Sequence, residues 1–256
     1  MAQKGAPKRG YESISWVWFD IDDTIVDFTS NSRQAMDIVY GMTPLLKGLF
    51  SSAEAWIETY ERHNRQLWAR FNNGEIDSSY LRVQRFIGPL TEAGCPTEIA
   101  HENAAPLDAQ YLDILAAQPG MIDGSADLIE GLHKLGLKIG VLSNGFSGIQ
   151  EKKLVTAGVA GLIDCVVLSD QIDINKPDRR IFEYAMRKTA ESNPESHLMI
   201  GDNPVTDIAG AINAGWRAIH FDSGFNGMEI AEGGAVRVGS LRLILPLFMP
   251  KMPGER

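Results

Sequence analysis

The sequence predicts an α/β protein in which a doubly wound parallel sheet carries an inserted α-helical subdomain. Two observations predict this fold. Five short apolar runs are spread along the chain without the polar alternation of a half-exposed strand, and helical patterns precede the second, third and fourth of them. Such runs are typical of strands buried on both faces, as in parallel sheets covered by helices. In addition, residues 28–119 contain helical patterns but no convincing strand. Strands and helices are therefore expected to alternate in one layered α/β fold with right-handed crossovers. The helical stretch is an insertion into this alternation.

Each strand is predicted from one apolar run. The five strands cover Trp16–Phe19, Lys138–Leu142, Cys165–Leu168, Leu198–Ile200 and Ala218–Phe221. Helical patterns run from Leu128 to Leu135 before the second strand, from Ile149 to Val155 before the third and from Ile181 to Met186 before the fourth. Glycines follow the first two patterns and a proline precedes the third, as expected at helix boundaries. Beyond the fifth strand we predict a glycine-rich surface loop over residues 224–234, a short strand near Val236–Val238 and a terminal helix.

The inserted segment predicts four helices separated by turn signals. They cover Ser32–Gly48, Ala53–Phe71, Ser78–Ala93 and Thr97–Ala117, with turns at Asn72-Asn73-Gly74 and Gly94-Cys95-Pro96. We therefore predict an N-terminal tail at residues 1–13, a Rossmann-like α/β core formed by residues 14–27 and 120–256, and a helical insertion at residues 28–119.

Composition excludes several classes of protein. A chain of 256 residues with 44% hydrophobic content can fill a sizeable core, which argues against a disordered or fibrous protein. The 24 basic and 33 acidic residues give a net charge of −9, so no broad basic surface is available to a nucleic-acid polymer. Two cysteines support neither a disulfide framework nor a zinc cluster, which favours a reducing cytoplasm.

The apolar stretches are not typical of membrane segments. Aspartates interrupt Ile14–Phe19 too early for a signal sequence. Leu241–Met249 contains Arg242 and Pro246 and is shorter than the roughly 20 residues of a membrane span. We expect a soluble monomer or homodimer that does not bind membranes.

Polar motifs follow four of the predicted strands. They are Asp20-Ile21-Asp22-Asp23-Thr24, Ser143-Asn144-Gly145, Lys176-Pro177, and Gly201-Asp202 with Asp207. Ligands of open α/β sheets bind outside the carboxyl ends of the strands, so these motifs predict the site. Clustered carboxylates ionise together only if a cation offsets their repulsion, and an all-oxygen site favours Mg²⁺.

The other motifs predict a clamp for a phosphoryl group beside that metal. Ser143 offers a hydroxyl donor, the amides of Asn144 and Gly145 are expected to open a helix whose N-terminus attracts anions, and Lys176 supplies a positive charge. Such a clamp meets the main electrostatic need of phosphoryl transfer. A carboxylate can then attack phosphorus and form an acyl phosphate.

The ordered motifs DxDxT, SN, KP and GDxxxxD resemble those of the haloacid dehalogenase superfamily of phosphatases, and the helical insertion resembles its C1-type cap. The resemblance implies that Asp20 is the nucleophile and that Asp22 is the general acid and base. It also implies that Asp20, the backbone carbonyl of Asp22 and Asp202 hold Mg²⁺, and that Ser143 and Lys176 bind the phosphoryl group. The supporting residues would be Thr24, Asn203 and Asp207. A true 2-haloacid dehalogenase lacks a carboxylate two positions after its nucleophile, so Asp22 favours a phosphatase.

The cap is the place to look for the substrate. The stretches Asn64-Arg65-Gln66-Leu67-Trp68, Asn72-Asn73-Gly74-Glu75-Ile76 and Arg85-Phe86 resemble the cap of bacterial pyrimidine nucleotidases that act on nucleoside monophosphates, including non-canonical ones. A base could stack on Trp68, Phe71 or Tyr80, but aromatic residues at helical spacing usually pack inward, which favours the cap core for these three. Arg85 could reach the ligand or form a salt bridge.

Other functions stay open at this point. A phosphatase of a sugar phosphate or of phosphoglycolate would use the same chemistry, and a phosphosugar mutase would return the phosphoryl group to its substrate. A catalytically silent interaction protein is a further alternative.

Overall fold

Seven strands form one mostly parallel sheet. The computed structural model describes residues 11–231 and 234–249. The strands are β1 (Trp16–Phe19), β2 (Lys138–Ser143), β3 (Cys165–Leu168), β4 (His197–Gly201), β5 (Arg217–Phe221), β6 (Met228–Ile230) and β7 (Val236–Val238). Their order across the sheet is β3-β2-β1-β4-β5-β7-β6, and β6 pairs antiparallel with β7. The predicted fold class, a doubly wound parallel sheet, is confirmed.

Nine α-helices lie within the described residues. They are α1 (Phe28–Met42), α2 (Pro44–Leu49), α3 (Ala53–Asn72), α4 (Ser78–Glu92), α5 (Thr97–Ala116), α6 (Ser125–Lys134), α7 (Ile149–Thr156), α8 (Arg179–Thr189) and α9 (Gly210–Asn213). None of these helices combines the length and hydrophobicity needed to cross a membrane.

Side chains of the sheet pack on both of its faces. Because neighbouring residues of a strand point to opposite faces, Val17 and Phe19 join the hydrophobic cluster that includes α6, whereas Trp18 joins the cluster that includes α8 and α9. All three side chains are completely buried. The absence of polar alternation in the sequence therefore reflects helices on both sides of the sheet.

Glycine in the middle of β2 makes room for a tryptophan of β1. Gly140 pairs with Trp18, and a Cβ at this glycine would lie 2.3 Å from Cε3 of the indole ring. The indole Nε1 donates a 3.0 Å hydrogen bond to Nδ1 of the buried His197. This histidine therefore has a structural role in the core.

Helices α1 to α5 share a separate hydrophobic cluster that includes the buried aromatic residues Trp56, Tyr60 and Phe86. Side chains cap three of these helices, because Asp27, Ser52 and Asp77 accept hydrogen bonds from amides of α1, α3 and α4 respectively. The boundaries of the cap and core at residues 27/28 and 119/120 stay a prediction, and residues 1–10 of the predicted tail lie outside the described residues. The cytoplasmic location and the oligomeric state also stay predictions.

The structure corrects three secondary-structure predictions. The predicted helix Ser32–Gly48 is two helices, because Pro44 lacks an amide donor and Thr43 before it is extended. Up to residue 249, where the described part of the chain ends, the predicted terminal helix is instead two 3₁₀ turns at Leu241–Leu243 and Leu245–Leu247. The predicted loop 224–234 contains strand β6, whose three residues are all exposed and so lack the apolar run of a buried strand.

Candidate active site

A cavity of about 230 Å³ lies between the carboxyl ends of β1, β2 and β4 and the facing helices. Most of the predicted site residues line it, namely Asp20, Asp22, Trp68, Arg85, Ser143, Asn144, Gly145, Lys176, Asp202 and Asn203. Two supporting residues contact this set. Thr24 donates a 3.4 Å hydrogen bond to Asp202, and Asp207 accepts one from Lys176. The strand-end motifs therefore meet in one place.

Lys176 connects the first and last motifs. Its Nζ lies 3.0 Å from Oδ1 of Asp20 and 2.6 Å from Oδ1 of Asp207, and it also donates a 2.7 Å hydrogen bond to the carbonyl of Leu142. The lysine is only 2% exposed. Burial by itself would lower the pKa of this ammonium, but its attraction to the two carboxylates outweighs burial and raises the pKa above its ordinary value.

Two of the clustered carboxyl groups have strongly raised pKa values. Burial, together with repulsion from Asp207 and Asp22, raises the pKa of Asp20 to about 7, although Lys176 opposes this shift. Burial and repulsion from the neighbouring aspartates Asp20, Asp207 and Asp23 raise the pKa of Asp202 to about 8. Without a further positive charge, the site therefore disfavours full ionisation of its carboxylates.

The same cluster fits a hard divalent cation. Asp20, Asp202 and Asp207 each offer a carboxylate oxygen, and these oxygens lie within 4.8 Å of one another. Oδ1 of Asp20 is buried and contacts the Lys176 ammonium at 3.0 Å. Both oxygens of Asp207 are engaged, one by Lys176 and one by the amide of Asn203 at 3.1 Å. Asp20 and Asp202 are therefore the carboxylates best placed to accept a cation, and Asp207 holds the lysine.

The loop after β2 differs from its prediction. Helix α7 begins at Ile149 after Gly148, so the amides of Asn144 and Gly145 do not open a helix. The amide of Gly145 instead donates a 3.2 Å hydrogen bond to Oγ of Ser143. The side chain of Asn144 accepts from the amide of Lys176 at 2.8 Å and donates to its carbonyl at 2.9 Å. Asn144 therefore connects the second and third motifs, which its position beside Ser143 did not reveal.

Two residues of α7 that the sequence analysis missed hold Asp22. Nε2 of Gln150 donates to Oδ2 of Asp22 at 3.0 Å and to Oγ of Ser143 at 2.9 Å. Nζ of Lys153 lies 2.6 Å from Oδ1 of Asp22 and 4.9 Å from the ring centre of Phe28. Gln150 and Lys153 are three residues apart on a helix that follows the Ser143 motif, so they share one face. Their three-residue spacing after the Ser143 motif was the sequence signal that could have identified them as site residues.

The structure separates the predicted cap residues. Trp68 and Arg85 line the cavity. Phe71 packs edge-on against Trp68, with ring centres 5.4 Å apart, and does not line the cavity. Tyr80 is 45% exposed and packs beneath the guanidinium of Arg70. Of the three aromatic residues, only Trp68 therefore faces the site.

Several other side chains of the facing helices and loops complete the cavity wall. Phe146 stacks at a tilt on Trp68, with 5.6 Å between ring centres, and Tyr111 donates to or accepts from Ser32 at 2.8 Å. Asn64 precedes Trp68 by one helical turn and lines the cavity with it. The wall that faces the carboxylates is thus mostly apolar, with aromatic and aliphatic side chains and the polar residues Asn64, Asn72 and Arg85.

Comparisons with known proteins agree with this geometry. The sequence profile of the haloacid dehalogenase-like hydrolases matches residues 14–215. The chain is 29% identical to the pyrimidine 5′-nucleotidase YjjG of Escherichia coli over 201 residues, which cover 78% of this chain and 82% of the relative. It is 30% identical to the phosphoserine phosphatase of Thermus thermophilus over 242 residues, which cover 87% and 94% of the two chains.

Solved structures show the same fold. The crystal structure of the HAD-hydrolase YfnB of Bacillus subtilis superposes with a TM-score of 0.78 at 24% identity, and the match covers 91% of this chain and 98% of that one. A 2-haloacid dehalogenase of Pseudomonas syringae superposes with a TM-score of 0.62 at 22% identity, covering 91% and 97%. At these identities the likeness concerns the fold alone.

Proposed function

Because the chain belongs to the haloacid dehalogenase-like hydrolase family, we propose that it hydrolyses phosphate monoesters through a phosphoryl–Asp20 intermediate, with nucleoside 5′-monophosphates as substrates. One observation carries the proposal. The four strand-end motifs converge on a single cavity, where Asp20, Asp22, Ser143 and Lys176 all line the wall. A nucleophile, a proton donor and a phosphoryl clamp are then within reach of one bound phosphate group.

Each residue has a defined part in the two steps. A carboxylate oxygen of Asp20 attacks phosphorus, the bond from phosphorus to the ester oxygen breaks, and Asp22 gives its proton to that oxygen. In the second step Asp22 takes a proton from water as the water oxygen attacks phosphorus. The bond from phosphorus to Asp20 then breaks and inorganic phosphate leaves. Ser143 and Lys176 stabilise the negative charge on the phosphoryl oxygens.

We propose Mg²⁺ as the metal of the site. Asp20, Asp202 and the backbone carbonyl of Asp22 would hold it, since these are the oxygen ligands that Mg²⁺ prefers. When bound, Mg²⁺ offsets the negative charge shared by the carboxylates and the phosphoryl group. The crystal structure of YfnB, which is bound to magnesium, supports this assignment.

The cavity wall supports a nucleotide as substrate. Trp68, Phe146 and Tyr111 surround the space in which the leaving group would lie, and aromatic rings of this kind stack on nucleobases. The relative YjjG is a pyrimidine 5′-nucleotidase.

A second candidate is a small phosphoacid such as phosphoserine. The guanidinium of Arg85 lines the same cavity and could pair with a substrate carboxylate. The relative from Thermus thermophilus, a phosphoserine phosphatase, covers more of this chain than YjjG does. Both candidates share the chemistry at Asp20 and differ only in the leaving group.

A substrate panel tests the proposal. Phosphate release is measured with Mg²⁺ on nucleoside 5′-monophosphates, sugar phosphates, phosphoglycolate and phosphoserine, for the native protein, Asp20→Asn and Asp37→Asn. Asp37 is an exposed residue of α1, so its substitution makes the same charge change away from the site. We expect release from nucleotides that Asp20→Asn abolishes and Asp37→Asn preserves. Release from phosphoserine alone would reject the nucleotide, and release by Asp20→Asn would reject the covalent mechanism.

Rapid acid quenching tests the intermediate directly. With substrate labelled in the phosphoryl group, label should become bound to the native protein within the first turnover and should not bind to Asp20→Asn. An isomerised product without free phosphate would instead indicate a mutase.

A further inference from the structure

Two cavity-lining side chains of α3 and α4 have polar atoms without a hydrogen bond to the described residues. Oδ1 of Asn64 on α3 is buried and unpaired. Arg85 on α4 hydrogen-bonds through Nε and Nη2, which leaves Nη1 without such a bond. Both lie on the side of the cavity that faces the carboxylates, where the leaving group of a phosphate ester would lie. The hydrogen bonds that these two groups lack therefore indicate which donors and acceptors the leaving group carries.

Asn64 requires a hydrogen-bond donor. Its Oδ1 is buried, and no described residue donates a hydrogen bond to it. An unsatisfied buried acceptor is rare in folded proteins, because it has lost its hydrogen bonds to water without gaining others. Because Asn64 lines the cavity one turn before Trp68, a ligand stacked on this indole can supply the missing donor.

Arg85 requires a hydrogen-bond acceptor. Its Nε donates to Oδ1 of Asp108 at 3.0 Å, and its Nη2 binds the same oxygen. Its guanidinium carbon lies 5.3 Å from the ring centre of Tyr111 and 5.8 Å from that of Phe146. These contacts hold the group rigidly, while Nη1 makes no hydrogen bond to any residue that the structure describes. A rigid, charged donor of this kind selects a carbonyl oxygen well.

We propose that Asn64 and Arg85 recognise the carbonyl, N–H, carbonyl edge of a uracil or thymine ring, an inference that rests on the proposed nucleotidase function. The ring N3–H donates to Oδ1 of Asn64, while Nδ2 of Asn64 and Nη1 of Arg85 donate to the two flanking carbonyls. Oδ1 of Asn64 is a buried acceptor without a donor, and Arg85, only 3% exposed, is a buried donor that lines the same cavity. Cytosine lacks the central N–H and leaves Oδ1 unpaired in this orientation.

The test combines one change in the substrate with one in the protein. The ratio kcat/KM is measured for uridine 5′-monophosphate, its N3-methyl derivative and cytidine 5′-monophosphate. The proteins are the native chain, Asn64→Leu and Gln66→Leu, an exposed control two residues along the same helix. We expect the native protein and Gln66→Leu to lose about 10- to 100-fold on N3-methylation. Asn64→Leu should lose a similar factor on uridine monophosphate and little more on its N3-methyl derivative.

Arg85 is tested against its neighbour Arg82. Both arginines bind Asp108, but Arg82 has a 43% exposed side chain and does not line the cavity. Arg85→Lys should reduce kcat/KM for uridine monophosphate by about tenfold or more, and Arg82→Lys should have a much smaller effect. If Arg85→Lys does not fold, the comparison of substrates on the native protein still decides the inference.

The outcomes separate this inference from the proposed function. Equal turnover of uridine monophosphate and its N3-methyl derivative by the native protein would overturn the inference and leave the nucleotidase function intact. An equal loss on both substrates in Asn64→Leu would also overturn it. Release of phosphate from phosphoserine but from no nucleotide would overturn the nucleotide substrate and this inference together.

Discussion

Substitution of Gly145 by alanine should disable the site without touching a catalytic group. The backbone conformation of Gly145 is one that alanine can adopt, but its new Cβ would lie 2.0 Å from Nε2, 2.5 Å from Cδ and 2.8 Å from Cγ of Gln150. Gln150 is 1% exposed and hydrogen-bonds to both Asp22 and Ser143. The methyl group therefore displaces the side chain that holds the proposed acid and base.

The size of the effect follows from these distances. An ordinary van der Waals contact is about 3.5 Å, so the Gln150 amide must move by roughly 1.5 Å. Its hydrogen bonds of 3.0 Å to Asp22 and 2.9 Å to Ser143 cannot survive such a displacement. A hydrogen bond to a carboxylate contributes about 2 kcal/mol, which corresponds to roughly a 30-fold loss in kcat/KM if Asp22 is mispositioned.

The assay is steady-state phosphate release with a control glycine and a double-mutant cycle. Gly161→Ala is the control, because its new Cβ would meet nothing within 4 Å. We expect Gly145→Ala to lose activity in the native background and to cost little more in a Gln150→Ala background. An equal loss in both backgrounds, or no loss in the native one, would refute the reasoning.

Three further predictions concern the charged and buried groups. Lys176→Met leaves Asp207 buried without its cation, so the free energy of unfolding measured with urea should fall by about 3–5 kcal/mol; an unchanged midpoint and slope would contradict the ion pair. Mg²⁺ at about 100 times its Kd should raise Tm by roughly 5 °C in the native protein and much less in Asp202→Asn; equal shifts in the two proteins would place the metal elsewhere. Burial lowers the pKa of His197 below its ordinary value of 6.5, so the unfolded state takes up a proton first on acidification. Stability should therefore be fully present above pH 6.5 and fall as the pH drops from 6.5 towards the folded-state pKa. Urea titrations followed by Trp fluorescence should show a flatter dependence for His197→Gln, whose amide can still accept from Trp18; parallel curves would reject the assignment.

The sequence by itself determined the sheet and the residues at its strand ends. Apolar runs mark buried strands locally, and parallel strands bring their carboxyl ends to one edge, so Asp20, Ser143, Lys176 and Asp202 could be assigned to one site before any coordinates. The pattern also distinguished the inserted helices from the strands. The pattern was wrong where a proline divides a periodic stretch, as at Pro44, and it missed β6, an exposed strand without an apolar run.

Only the tertiary structure decided which side chains complete the site. Trp68 and Phe71 are both apolar positions of α3, but the packing of α3 against the loop after β2 turns the first to the cavity and the second away from it. Gln150 and Lys153 belong to none of the quoted motifs, and Asn64 lies in a cap stretch whose resemblance did not single it out. Their roles depend on which helix face meets Asp22 or the leaving group. The sequence of a helix does not show which of its faces will meet the site. Packing between segments more than a hundred residues apart decides this, as for Gln150 and Lys153 against Asp22.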